Sequence, residues 1–152
     1  FIRCLPEPMV LDAAYSGKKM FTEHFGVYAS PHFNLHNNIN LIAVQASERV
    51  YDGINWTHWL QQYPHPGVEG ADLRYFDSEQ GMIQAAISGY GLVLASNVLV
   101  SKSVEQGLLK ALFPQQTLPW HEYYHAIYRS GRERHLAVAT LLAWLDVQAL
   151  AY

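Results

Sequence analysis

ADLRYFDSEQGMIQAAISGYGLVLAS, residues Ala71 to Ser96, decides the fold. Ala71 to Phe76 (ADLRYF) reads as a short strand. Asp77 and Ser78 follow, residue types whose side-chain oxygens accept from the free N–H groups of a first helical turn. Met82, Ile83, Ala86 and Ile87 then recur at helical spacing and make one apolar face that stops at Gly89. Tyr90 to Ala95 (YGLVLA) is a compact apolar run of the kind that forms a strand buried on both sides. Strand, helix and strand in succession make the unit from which parallel sheets are built.

The alternation continues outward. Upstream, Phe21 to Ala29 (FTEHFGVYA) alternates as a strand does and stops at Ser30-Pro31, and Ile39 to Val44 is a second apolar run. Asn55 opens a helix, WTHWLQQ, that Pro64 and Pro66 close. Downstream, Ser96-Asn97 caps a short helix ending near Gly107, and LLKALF is extended. Glu122 to Arg129 (EYYHAIYR) is rich in strand-favouring aromatics between Pro119 and Ser130-Gly131. Val138, Leu141, Leu142, Leu145 and Ala149 form the apolar stripe of a terminal helix. The expected class is α/β, an open, mainly parallel sheet flanked by helices.

Composition narrows the function. Half of the 152 residues are apolar, enough for one domain with a core. A net charge of −3 gives no cationic field for gripping nucleic acid through phosphates. A single cysteine, Cys4, excludes a disulfide framework and suits a reducing cytoplasm; it reads as a buried strand residue without a catalytic partner set. Neither a membrane-spanning run nor a secretory leader is expected, so the chain is assigned to the cytoplasm.

One motif argues for different chemistry. His121-Glu122-Tyr123-Tyr124-His125 spells H-E-x-x-H, the zinc-peptidase pattern of two ligands and a general base. On a helix, residues four apart lie about 6 Å from each other and share one ion. On a strand they stand about 13 Å apart and cannot. The turn residues and aromatics favour the strand, leaving a zinc hydrolase on His121, Glu122 and His125 as the alternative. His32 and His36 share the same spacing and read as polar loop residues. Gly89-Tyr90-Gly91 precedes a strand rather than following one, so it is no phosphate loop, and P-loop, G-x-S-x-G and C-x-x-C patterns are lacking. No catalytic, metal or cofactor site is assigned.

The order WTHWL, ADLRYFDSEQGMIQAAISGYGLVLASNVLV, EQGLLKALFP resembles the C-terminal effector-binding domain of LysR-type transcriptional regulators over about residues 20 to 151. Ser96-Asn97 departs from that pattern, standing where the family often has Leu-Pro or Pro-Arg. The resemblance implies a periplasmic-binding-protein-like (type II) fold with two α/β lobes and a small effector in the cleft between them. Residues 1–10 would end a first-lobe strand and begin the crossover, 11–120 would form the second lobe, and 121–152 would return to the first. Most of the first lobe and the DNA-binding winged helix-turn-helix would be missing, so DNA would be contacted only through the latter. A solute-binding protein of the same fold is the further alternative, disfavoured by the lack of a leader.

In an open α/β sheet, ligands bind beyond the carboxyl ends of the strands, where helix starts offer free N–H groups. Ser30, Phe76, Ser78 and Ser96 are therefore the expected effector contacts, suited to a small anionic metabolite. The apolar stripe of the terminal helix further predicts a homo-oligomer, by dimerisation or segment exchange.

Overall fold

β2 (Tyr15–Ala29) and β7 (Leu118–Arg129) are the two long strands among the described residues. The computed structural model describes residues 1–35, 38–44 and 51–149. The chain separates into two compact units, a terminal one of Phe1–Glu23 with Pro119–Tyr152 and a central one of His24–Leu118. Residues 11–23 therefore group with the chain ends.

The central unit is built on β3 (Asn40–Val44), which pairs in parallel with both β4 (Asp72–Phe76) and β5 (Leu92–Ser96). The end of β2 runs antiparallel to β5, with Phe25 opposite Ser96 and Tyr28 opposite Val93, giving the order β2-β5-β3-β4. A two-residue β6 (Lys110–Ala111) adds to β2. The sheet is mixed, with its parallel part where apolar runs predicted it. Helices α1 (Trp56–Gln62), α2 (Glu79–Ile87) and α3 (Asn97–Glu105) connect the strands.

One face of the strands meets the period-3.6 apolar face of the helices. Tyr28, Ile42, Val44, Val93 and Ala95 form one core with Met82, Ile83 and Ala86 of α2, Val100 of α3 and Leu109. The intervening Leu41, Ala43 and Leu92 are buried as well, so β3 and β5 are covered on both faces, which is why they read as continuous apolar runs. Asn55 caps α1, its Oδ1 accepting from the His58 N–H at 2.8 Å. α1 buries Trp56, whose Nε1 donates to the Ile42 carbonyl, and Trp59, whose Nε1 donates to that of Gln116 (3.0 and 2.9 Å). The glycines around Tyr90 have separate causes. Gly89 follows α2 at a φ of +82°, and a Cβ on Gly91 would collide with the Asn40 carbonyl.

In the terminal unit, β1 (Ile2–Pro6) pairs antiparallel with β7, Cys4 opposite Tyr124, and the order is β1-β7-β2. β2 begins at Tyr15, six residues before the run that predicted it. YSGKKM has weak strand propensity, and pairing makes it extended. α4 (Leu136–Ala149) half-buries Val138, Leu142, Leu145 and Ala149. Leu141, expected in that stripe, is exposed with Trp144 and Val147, and Lys18 pairs with Asp146. Among the described residues no helix is long and apolar enough to cross a membrane.

Trp59 is fully buried among Trp56, Tyr63 and Phe113 and keeps its indole N–H paired. Trp59→Ala should cost about 3–5 kcal/mol, read as a lowered urea midpoint at unchanged slope.

Candidate functional site

Because β3, β4 and β5 are parallel, they finish at the same edge. Val44 lies opposite Phe76, and the β3–β5 register puts Ser96 one residue beyond that level. β4 leads through Asp77 and Ser78 into α2. β5 leads straight into α3. Ser78 is extended (φ −147°), and its Oγ accepts from the Gly81 N–H at 3.1 Å. The Ser96 Oγ accepts from the Val98 N–H at 3.1 Å. Each hydroxyl thereby takes one of the four N–H groups that a helix start leaves free, and the others point past the strand ends. Phe76 is half-buried, its ring meeting Tyr90 edge-on at 6.1 Å.

The two helix starts differ in charge. Glu79 occupies the first turn of α2, whereas the first turn of α3 holds no acidic residue. An anion beside α2 meets a carboxylate; one beside α3 meets only the partial positive charge of the helix start. Beside α3, the Asn97 Oδ1 accepts the His24 backbone N–H at 2.9 Å, tying β2 to this edge. Sequence marks Asn97 only as part of a helix cap and His24 not at all, and nothing local announces their contact, which spans 73 positions.

Phe76, Ser78 and Ser96 thus come to one edge. Ser30 does not. β2 runs opposite to β5, so Ser30 stands five residues past the Phe25–Ser96 pair, about 16 Å along the strand toward the amino end of β5. It is buried, and its carbonyl accepts the Phe33 N–H in a turn. An apolar run shows that a strand exists but not which way it points.

The H-E-x-x-H letters fall within β7, which is extended throughout, so His121 and His125 are spaced as strand residues about 13 Å apart. His121 is exposed against Trp120. His125 is buried, its Nδ1 lying 2.8 Å from the Tyr123 carbonyl and its Nε2 3.0 Å from Glu7 Oε1. The zinc alternative finds no support in this geometry. The His32–His36 pair includes His36, which lies outside the described residues.

Cys4 is a half-buried residue of β1. Burial pushes its thiol up to about 11, helped by a hydrogen bond to Glu122 and the negative charges of Glu122 and Glu23. Glu23 is itself buried and accepts the Tyr124 hydroxyl at 2.6 Å. This surrounding suppresses the thiolate, the reverse of what a nucleophile needs.

The LysR substrate binding domain model matches residues 1–149, and the chain belongs to that family, the effector-binding domains of LysR-type transcriptional regulators. The AmpR effector binding domain from Citrobacter freundii is similar at 16% identity and a TM-score of 0.61, covering 99% of this chain and 74% of that one. The AmpR effector domain of Pseudomonas aeruginosa is similar at 18% identity and a TM-score of 0.56, covering 98% and 71%. Full-length HypT from Salmonella, a hypochlorite-specific regulator, is similar at 14% identity and a TM-score of 0.55, covering 99% and 52%. No curated protein matches the chain in sequence. The α/β sheet flanked by helices is accordingly the periplasmic-binding-protein-like fold of those effector domains.

At pH 8, Cys4 should react with a maleimide on the order of a hundredfold more slowly than an unperturbed thiol. The rate should climb toward pH 11, and Glu122→Gln should accelerate it at every pH below that, measured by mass spectrometry of the labelled chain.

Proposed function

We propose that this chain senses a small effector at the carboxyl edge of its central sheet and thereby controls DNA binding by a winged helix-turn-helix of the same regulator. The observation that carries this reading is the convergence of two capped helix starts, Ser78 at α2 and Ser96 at α3, on the ends of three parallel strands. Such an edge supplies fixed N–H donors without a mobile cation, and it suits an anionic or strongly polarised group. Phe76 contributes an apolar flank. The absence of an acidic residue from the first turn of α3 favours Ser96 over Ser78 as the anion's nearer neighbour. We assign the effector to small carboxylates, the regulator to the cytoplasm, and the two contact-defined units to the two lobes of the family's fold.

Effector binding then acts by differential affinity. An effector that prefers one conformation of the domain shifts its population, and the attached DNA-binding module reads the shift. Turnover of the effector is not part of this function.

A thermal-shift screen of small mono- and dicarboxylates tests the reading. A ligand at a hundred times its dissociation constant adds about 2.7 kcal/mol of stability, and Ser96→Gly, which spares most of the cap energy, should weaken its binding. A screen in which no carboxylate raises the melting temperature would overturn the assignment.

The oligomer is a separate proposal. Leu141, Trp144 and Val147 expose an apolar row on α4 that a second copy would cover. Light scattering should show concentration-dependent self-association, reduced by Leu141→Lys with Trp144→Lys; a strictly monomeric species would contradict it.

A further inference from the structure

The last residues of β2 carry a feature that the effector edge does not use. His24, Gly26 and Tyr28 share one face of the strand, the face bearing the core with α2 and α3. A groove of about 410 Å³ runs along it, closed by Asn97 at the start of α3 and by Ala111, Phe113, Pro114 and Thr117. That volume lies within the range of small-molecule sites, roughly 300–1,000 Å³.

Gly26 makes the groove. Glycine inside a strand weakens it and often marks a close approach by something else. A Cβ at position 26 would touch the Tyr28 ring and hydroxyl at 3.4 Å and the Thr117 methyl at 3.5 Å. A longer side chain there would run into the same space.

Tyr28 supplies the chemistry. It is only 8% exposed, and its ring belongs to the core, while its hydroxyl stands over Gly26. Among the described residues no group hydrogen-bonds that hydroxyl, which leaves it available in the groove. Burial pushes the phenol up, so it remains an O–H donor at neutral pH. The rest of the lining is Val27, Ala111, Phe113 and Pro114 on the apolar side, with His24, Asn97 and Thr117 as its other polar residues. No lysine or arginine lines it, so a buried carboxylate would lack a counter-charge there.

We propose that this groove is a second small-molecule site, taking a compact, mainly apolar molecule that carries one neutral carbonyl oxygen set against the Tyr28 hydroxyl. It adjoins the effector edge at His24 and Asn97 and differs from it in its remaining residues and in ligand charge. Its occupant would brace the end of β2, the strand that continues in sequence from the terminal unit into the central one, against the 111–117 segment.

Acetophenone and ethylbenzene, which differ by the carbonyl, are the probes, titrated into the ¹⁵N-labelled chain and followed by amide chemical shifts. Acetophenone should shift Gly26, Val27, Tyr28 and Thr117 in a saturable way. Ethylbenzene should bind about 3–10-fold more weakly, as expected for one lost hydrogen bond, and Tyr28→Phe should bind both probes alike. Gly26→Leu should abolish the shifts, whereas Ser78→Ala, at the effector edge, should leave them unchanged. Equal binding of the two probes to the native chain, or saturable shifts that avoid the groove, would overturn the proposal. So would the absence of any saturable shift. The carboxylate screen for the effector edge can succeed or fail independently of these results.

Discussion

The antiparallel pairing of β2 with β5, Phe25 opposite Ser96, is the constraint on which the central unit depends. It brings β2 in at the edge where the parallel strands end and sends it out at the opposite edge. His24 is thereby held beside Asn97, and Tyr28 beside Val93 in the core. The same direction carries Ser30 away from Ser78 and Ser96. A parallel β2 would have gathered all four expected contacts. The antiparallel one leaves three at one edge and opens a groove over Gly26 instead.

Around that pairing, hydrogen-bond satisfaction decides what is available to a ligand. Ser78 and Ser96 each consume one helix-start donor and leave the others at the strand ends. Glu79 makes the α2 start the less welcoming of the two for negative charge. The buried indoles of α1 and the buried Glu23 have their partners within their own units. The Tyr28 hydroxyl has no partner among the described residues and faces the groove over Gly26.

The terminal unit shows how spacing and geometry separate. His121 and His125 have the letters of a metal motif, yet a rise of about 3.3 Å per residue holds them apart. His125 instead spends both ring nitrogens on the Tyr123 carbonyl and Glu7. Cys4, the one thiol, is raised by burial and two carboxylates rather than activated. Both groups are occupied with packing around the β1-β7-β2 strands.

Much of the architecture was legible in the chain's own pattern. Continuous apolar runs located β3 and β5, period-3.6 apolar spacing located α2, and Asn55, Ser78 and Ser96 marked helix starts, because burial and capping are local demands that each segment states in its own residues. The aromatic run 122–129 likewise declared itself a strand. Strand direction, the start of β2 at Tyr15, the exposure of Leu141 and the groove over Gly26 were decided only in three dimensions. Each depends on which distant segment lies alongside, and a pairing partner some 70 to 100 residues away leaves no periodic trace in the stretch it organises.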